Sequence, residues 1–255
     1  MSLQLIDVNK VFPNGGSPNH VLKGINLKVA KGELLCILGH SGCGKTTLLN
    51  IIAGFLGQTS GRVLMDGNEV THIGTDRIMM FQEAALFPWL NVIDNIEFGL
   101  KVQGMKKAER RKKTLALIDM VNLKGSESFY VHQLSGGMKQ RVALARALAL
   151  DSEILLMDEP FAALDAFTKD KLRQELLRIW KACQKTILLV THDVEEAILL
   201  ADRIIIIASQ PGVISREIHI SVARDKRQES DQLKKLALSI KEEFCIVVDE
   251  REAVS

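Results

Sequence analysis

A glycine-rich stretch at residues 39–46 constrains this chain more than any other feature of its sequence. It reads Gly39-His40-Ser41-Gly42-Cys43-Gly44-Lys45-Thr46, and Thr47 follows it. The spacing G-x-x-x-x-G-K-[ST] is typical of loops that bind the phosphates of nucleoside triphosphates. Glycines let the backbone curl around an anion without Cβ clashes. The N–H groups of the loop and of the following helix start then face the phosphates.

The residues on both sides of this loop have the pattern that a phosphate loop requires. Residues 34–38 are apolar and predict a buried strand, and residues 47–53 predict a helix that ends at Gly54. In this context we expect Lys45 to reach the β- and γ-phosphates and Thr46 to bind Mg²⁺. The alternative is a glycine-rich turn in an unrelated α/β fold.

The composition is that of an ordinary globular protein. Hydrophobic residues make up 47% and charged residues 25% of the 255 residues. The net charge of +2 gives no electrostatic sign of a nucleic-acid partner, and we expect none. The four cysteines are widely spaced and contain no C-x-x-C pair, which argues against a zinc or redox motif. The longest apolar runs have the length of strands, so no membrane span is expected.

Alternating strand and helix patterns predict an α/β fold with a parallel sheet covered on both faces. The predicted strands are residues 3–12 (as an edge strand), 25–29, 77–81, 154–157, 186–191 and 203–208, with a hairpin at 62–70. The predicted helices are residues 92–100, 106–121, 138–150, 168–182, 194–201 and 229–243. We divide the chain into a core of residues 1–82 and 151–228, a mostly helical lobe of residues 83–150, and a C-terminal helix and tail of residues 229–255.

A second candidate anion site opens the last helix of the helical lobe. Residues 134–141 read Leu-Ser-Gly-Gly-Met-Lys-Gln-Arg. Ser135 is predicted to be the N-cap, and Gly136 and Gly137 leave the N–H groups of the helix start uncovered. Taken alone, this pattern would be better explained as an ordinary helix cap.

Two carboxylates follow the apolar strand predicted at residues 154–157. They are Asp158 and Glu159. Because adjacent strand residues point to opposite faces, we expect the two acids to have different roles. Asp158 suits the shell of a Mg²⁺ ion, and Glu159 is then available to polarise an attacking water as a general base. The alternative is a pair of solvated acids at a strand end.

With these motifs in view, nearly the whole chain resembles the ATP-binding subunit of ABC transporters. Residues 39–46 resemble the family's phosphate loop, residues 134–140 its signature, and residues 154–159 its acidic strand end. Gln82 resembles the Q-loop glutamine, and His192 the switch histidine.

Two further elements complete the resemblance. Ala163-Leu164-Asp165 is similar to the family's D-loop, which adds Asp165 to the candidate nucleotide-binding residues. Phe12 stands where the family usually carries an aromatic that stacks on adenine, and the alternative for this residue is a core aromatic at a strand end.

The resemblance implies a fold and a mechanism. The fold would be a P-loop NTPase core with a mixed sheet, an antiparallel β edge and a helical subdomain. Two chains would form a head-to-tail dimer that holds two ATP molecules with Mg²⁺. Residues 135–137 of one copy would contact the γ-phosphate bound to its partner. His192 would sense that phosphate, and Gln82 would link Mg²⁺ and the attacking water to a membrane subunit.

Weaker similarities indicate a subfamily. Residues 39–45, 86–96 and 211–214 are similar to those of bacterial importers for nitrate, sulfonates or taurine. This implies an ATPase on the cytoplasmic face of the inner membrane, paired with an identical or related ATPase and with membrane permease subunits, and served indirectly by a solute-binding protein. The alternatives are a non-transport ATPase of the same superfamily, acting in DNA repair or on ribosomes, and a scaffold that binds nucleotide without hydrolysis.

Overall fold

The computed structural model describes residues 3–13, 17–162, 164–209 and 211–252, with side chains described as far as residue 243. Ala163 of the predicted D-loop and both ends of the chain lie outside these ranges. The described residues form two compact units. The first contains residues 3–71 and the chain from residue 188 onward, and the second contains residues 72–187. The domain boundaries drawn at residues 82, 150 and 228 stay predictions.

The first unit holds most of the strands. Its elements are β1 (Leu3–Phe12), β2 (Asn19–Val29), β3 (Leu34–Leu38), α1 (Lys45–Ala53), β4 (Ser60–Met65), β5 (Asn68–Glu69), the greater part of β8 (Thr186–Thr191), α6 (Val194–Leu200), β9 (Arg203–Ala208), β10 (Val213–His219) and α7 (Asp231–Glu252). The second unit contains β6 (Arg77–Met80), α2 (Val92–Val102), α3 (Lys107–Met120), α4 (Gly136–Ala149), β7 (Ile154–Asp158) and α5 (Ala166–Cys183).

One sheet of the first unit is antiparallel and runs in the order β2-β1-β4-β5. Strand β1 pairs with β2 on one side and with β4 on the other. The prediction of an edge strand at residues 3–12 is therefore wrong. The reason is that both sides of β1 are paired: β2, which begins at Asn19, covers one side, and β4 covers the other.

The second sheet of this unit carries the strands that lead into the candidate site. Its order is β10-β9-β3-β8 within this unit. Strand β9 runs parallel to β3 and antiparallel to β10, so the predicted mixed sheet with an antiparallel edge is confirmed. Strand β10 was not predicted, because its largely exposed residues carry little of the apolar signal that marks a strand. Strand β3 is buried at all five positions, as expected of a central strand.

Helix α1 follows β3 through the glycine-rich loop. It begins at Lys45, two residues before the predicted start. It ends as predicted, because Gly54 takes the left-handed conformation with φ 81° and donates its N–H to the carbonyls of Asn50 and Ile51.

The C-terminal end of α6 is capped by two arginines from the segment before α7. Arg227 is 4% exposed and donates to the carbonyls of Ile198, Leu199 and Ala201. Arg224 donates to the carbonyl of Leu200. Burial lowers the pKa of Arg227 to about 10, which keeps the group charged at neutral pH. A cation at this position satisfies the last helical carbonyls and complements the helix dipole.

The second unit is mainly helical and is organised around α4. This helix packs against α2, α3 and α5, and nine of its 14 residues are buried. Strands β6 and β7 pair in parallel beside these helices. In the described ranges of both units, no helix combines the length and apolar character needed to cross a bilayer.

We expect Arg227→Met to lower the free energy of unfolding by about 3 kcal/mol, because it leaves buried carbonyls of α6 without a charged donor. Urea denaturation of the purified chain would measure the change. Arg62→Met, at an exposed arginine on β4, is the matched control and should change the unfolding free energy by less than about 0.5 kcal/mol. Equal effects of the two substitutions would contradict the capping role.

Candidate functional site

The glycine-rich loop of the first unit is closed around the ammonium group of Lys45. This side chain is 5% exposed, and its Nζ donates to the carbonyl of Gly39 at 2.7 Å and to that of His40 at 2.8 Å. A buried ammonium needs such acceptors. The loop is thus curled around a positive charge at its centre.

Two glycines of the loop occupy positions that no other residue fits. Gly44 has φ 99°, and a Cβ there would lie 2.8 Å from Leu22 Cδ2 and 3.0 Å from the carbonyl oxygen of Val21. A Cβ on Gly39 would lie 2.7 Å from the carbonyl oxygen of Ile207. The motif glycines therefore allow β2 and β9 to pack directly against the loop.

The outer face of the loop is accessible. Ser41, Gly42 and Thr46 are exposed, and His40 and Thr47 are half-buried. The N-cap of α1 is Gly44, which has no side chain to accept from the first N–H groups of the helix. Such a helix start, next to a buried lysine, is suited to bind phosphate.

Cys43 can contribute only its backbone to a bound phosphate. Its side chain is 1% exposed, and its Sγ would lie 2.7 Å from a Cβ on Gly39. The thiol therefore fills the inner side of the loop and supports its curvature.

Sequence reasoning missed Gly212 as a support of the loop. Its N–H donates to the carbonyl of Val21 at 2.9 Å, and its carbonyl accepts from the N–H of Lys23 at 2.9 Å. A Cβ at this position would overlap the carbonyl oxygen of Cys43. The Pro-Gly pair at residues 211–212 was noticed only as a subfamily similarity. Nothing in the local pattern indicates a contact with a loop so much earlier in the chain.

Phe12, the candidate adenine-stacking residue, lies near the loop along β2. It is half-buried and pairs with Asn19. Asn19 is two residues, or roughly 7 Å of strand, before Val21, whose carbonyl abuts Gly44. The ammonium of Lys10 lies 4.8 Å from the centroid of the Phe12 ring.

His192, the candidate switch residue, belongs to the same unit as the loop. It is exposed and directly follows β8, the neighbour of β3 in the sheet order. The next residue, Asp193, is the N-cap of α6 and accepts from the N–H groups of Glu195 and Glu196 at 3.0 and 3.1 Å. The position of His192 is thus set by the end of β8 and the capped start of α6.

The two candidate acids belong to the second unit, where they differ in a way the sequence did not predict. Asp158 is the last residue of β7 and is 7% exposed. Glu159 lies beyond the strand in a turn, is half-buried and has φ 44°. The argument from strand alternation therefore does not apply, although the two side chains do lie in different environments. A glutamate at positive φ is strained, and such strain is often found at functional sites.

The signature segment is a capped helix start, as predicted. Ser135 is exposed, and its Oγ accepts from the N–H of Met138 at 3.3 Å. Gly136, also exposed, begins α4. A Cβ on Gly137 would lie 2.5 Å from Thr168 Cγ2, so this glycine is required by close packing against α5.

Asp165 of the predicted D-loop is the N-cap of α5. Its Oδ1 accepts from the N–H of Thr168 at 3.1 Å. Hydrogen bonds from the side chain and backbone of Thr168 hold the pKa of Asp165 below its usual value. Thr168 thus contacts both Gly137 and Asp165 within one copy of the chain.

Gln82, the candidate Q-loop residue, is exposed, and its backbone is held by α4. The side-chain Nε2 of Gln140 donates to the carbonyl of Gln82 at 2.8 Å. Arg146, one turn and a half further along α4, donates to the carbonyls of Ala84 and Ala85. Gln140 ends the predicted signature segment but was given no role there, and Arg146 was not predicted to be functional.

The residues predicted to bind Mg²⁺ carry the ligand type that this ion prefers. Thr46, Gln82 and Asp158 all offer oxygen atoms, and Mg²⁺ uses few protein ligands when it is also bound by phosphates. Thr46 lies in the first unit and the other two in the second. Within the described ranges, no three His, Cys, Asp or Glu side chains are grouped so as to hold a metal ion by themselves.

Comparison with known proteins identifies relatives for this arrangement. A nitrate import ATP-binding protein from Synechocystis sp. is 45% identical over 92% of this chain and 89% of its own length. A taurine import ATP-binding protein from Pelagibacter ubique is 48% identical over 85% of this chain and 82% of its own length. A dimeric ATP-binding cassette, solved in a post-hydrolysis state with ADP and Pi, has a TM-score of 0.77 and 34% identity, and the match covers 87% of this chain and all of that one.

The family model for ABC transporters matches residues 22–162, which include the glycine-rich loop, the signature segment and both acids. The resemblance inferred from the motifs is therefore confirmed, and ATP is the nucleotide that this family binds and hydrolyses. The chain belongs to the ABC transporter family.

Proposed function

We propose that this chain is the ATP-hydrolysing subunit of a membrane importer for a small anion such as nitrate, a sulfonate or taurine. The observation that carries the proposal is the closed loop around Lys45, in a chain that matches nitrate and taurine import ATP-binding proteins over most of its length. These relatives are importers, so a role in DNA repair or on ribosomes is not favoured.

In this proposal the phosphates of ATP replace the present acceptors of Lys45. The ammonium now donates to two neutral carbonyls. Hydrogen bonds from an ammonium to charged phosphate oxygens are shorter and stronger than hydrogen bonds to neutral carbonyls. The N–H groups of residues 41–47 donate to the remaining phosphate oxygens, and Phe12 stacks on the adenine ring.

Glu159 is proposed as the general base. Its carboxylate accepts a proton from water while the water oxygen attacks the γ-phosphorus, and ADP leaves from the opposite side. Thr46, Asp158 and Gln82 are the residues that would hold Mg²⁺, and the ion would supply positive charge to the phosphates. The strained backbone of Glu159 supports a functional role, because glycine would adopt φ 44° without cost. His192 is proposed to contact the γ-phosphate.

A second copy of the chain is proposed to complete each site. The exposed start of α4, with Ser135 and Gly136, is a helix terminus suited to a phosphate. Gly137 is buried against Thr168 and shapes that terminus, and Asp165 orders the adjacent start of α5. We propose that these residues face the nucleotide bound by the partner copy. The similar cassette that contains ADP and Pi is dimeric, which supports this arrangement.

An exposed aromatic cluster after Gln82 is proposed to receive the permease. Trp89 is 70% and Phe98 is 42% exposed, and the ring of Phe87 lies 5.6 Å from Trp89 and 4.4 Å from Phe98 between centroids. A cavity of about 270 Å³ beside Phe87 and Phe98 gives a partner side chain a place to insert. Aromatic surfaces of this kind are typical of interface centres. The chain would then lie peripherally on the cytoplasmic face of the inner membrane, and a solute-binding protein would act through the permease.

We expect Glu159→Gln to lower ATP turnover by at least about 100-fold, because the amide cannot accept the proton of the attacking water. ATP affinity should stay within about threefold of the wild-type value, since the phosphate loop is unchanged. Steady-state ATPase assays and calorimetry would measure the two quantities. Glu153→Gln, at an exposed position just before β7, is the control. Near-normal turnover of Glu159→Gln would refute the assignment of the base. If the wild-type chain hydrolyses ATP as slowly as Glu159→Gln, both alone and with its permease, the result would favour a scaffold that binds nucleotide without hydrolysis.

We expect Gly212→Ala to weaken ATP binding by about tenfold, because the added methyl group must displace the carbonyl of Cys43 and so distort the phosphate loop. Calorimetric titration of the purified chain would give the dissociation constant. Gly57→Ala is the control, because a Cβ at Gly57 meets no atom within 4 Å. Wild-type affinity in a folded Gly212→Ala chain would show that the loop does not depend on this support.

A further inference from the structure

The loop of residues 82–91, which carries Gln82 and most of the aromatic cluster, is held by two helices of its own unit. Side chains from α4 bind its first half, and a side chain from α2 binds its second half. The hydrogen bonds in these contacts go to backbone groups of the loop, so they fix the path of the chain.

The contacts from α4 involve Gln140 and Arg146. Gln140 is 4% exposed and donates through Nε2 to the carbonyl of Gln82 at 2.8 Å. Arg146 donates through Nη1 to the carbonyl of Ala85 at 2.8 Å and through Nη2 to that of Ala84 at 3.1 Å. The two nitrogens of one planar guanidinium therefore hold two successive peptide groups in a set orientation.

The backbone of Ala85 shows that this part of the loop is constrained. Its φ is 44°, in the left-handed region that residues with a Cβ rarely adopt. Such a conformation persists only when surrounding contacts impose it. The bond from Arg146 to the carbonyl of Ala85 is a contact of that kind. The guanidinium also lies 5.5 Å from the centroid of the Phe87 ring, so it touches the aromatic cluster itself.

The contact from α2 is made by Asn95, whose exposure is 0%. Its Oδ1 accepts from the N–H of Phe87 at 2.9 Å. Its Nδ2 lies 3.2 Å from the carbonyls of Phe87 and Leu90, to which it donates. Since α2 packs against α4, the whole loop is bonded to one block of packed helices.

We propose that Gln140 and Arg146 on α4 and Asn95 on α2 are positioning residues that join the 82–91 loop to these two packed helices. When residues 135–137 at the start of α4 move, Gln82 and the aromatic cluster therefore move with them. The inference rests on the proposed function, because the displacement is useful only if a nucleotide acts at one end and a permease at the other.

Gln140→Leu and Arg146→Met remove the α4 contacts with little change in volume. Gln140→Leu should be tolerated by the fold, since Gln140 Oε1 is buried and has no hydrogen-bond donor among the described residues. Gln174→Leu on the exposed face of α5 and Arg62→Met, at an exposed arginine on β4, are the matched controls. Thermal unfolding of each full-length variant would establish that the fold is retained.

The first measurement is amide hydrogen exchange of the isolated chain. We expect exchange at the Phe87 N–H to accelerate at least tenfold in Gln140→Leu and Arg146→Met, because a loop released from α4 opens its bond to Asn95 more often. The amides of β7 and the two control variants should keep wild-type rates. Unchanged exchange at Phe87 in both variants would overturn the inference, whatever the chain does with a permease.

The second measurement compares ATP turnover of the chain alone with that of its complex, purified from membranes through a tag on this chain and reconstituted in phosphatidylethanolamine–phosphatidylglycerol vesicles. We expect the complex to be faster than the isolated wild-type chain, and both variants to reduce this stimulation at least threefold without altering ATP affinity. Full stimulation of the variants would overturn the inference. If the wild-type chain captures no membrane partner and its turnover is not stimulated, the proposed function is contradicted. The hydrogen-exchange rates alone would then decide whether Gln140, Arg146 and Asn95 position the loop.

Discussion

The bonds from the buried ammonium of Lys45 to the carbonyls of Gly39 and His40 are the interaction on which the candidate site depends. They draw the loop into a ring whose centre is positive and whose outer rim is exposed. The close packing of Gly39, Gly44 and Gly212 against neighbouring backbone lets the loop lie against the central strands. Because neutral carbonyls are weaker partners for an ammonium than phosphate oxygens, the loop is stable in this form and still favours an incoming triphosphate.

The second unit has a comparable organising element in α4. Its first turn carries the signature glycines, and its Arg141 pairs with the buried Glu175 of α5 at 3.2 Å. Gln140 and Arg146 bind the 82–91 loop from the same helix. One helix therefore links the proposed phosphate-contacting terminus, the helix that follows the D-loop, and the proposed permease surface. In such an arrangement a small shift at one end is not absorbed locally, because packed helices move as units.

The sequence was sufficient wherever function depends on local backbone geometry. The phosphate loop, the stop of α1 at Gly54 and the cap at Ser135 all follow from residues adjacent in the chain, and each was predicted. Contacts between distant segments left no such signal. Gly212 supports a loop far from it in sequence, and Gln140 holds the backbone of Gln82 58 residues away. The position of β1 inside its sheet depends on pairing with both β2 and β4, which are separate segments of the chain. The turn at Glu159 lies at a strand end, where the alternation rule stops. The roles of individual residues in ATP chemistry stay predictions.

The central claim is that each nucleotide is bound by the phosphate loop of one copy and by the signature of another. It is tested most directly by a structure of the Glu159→Gln chain determined with Mg²⁺ and ATP. We expect two ATP molecules in a two-fold dimer, each with its triphosphate on residues 39–46 of one copy and within hydrogen-bond distance of residues 135–137 of the partner copy. A monomeric complex, or a dimer in which residues 135–137 lie far from both nucleotides, would contradict it.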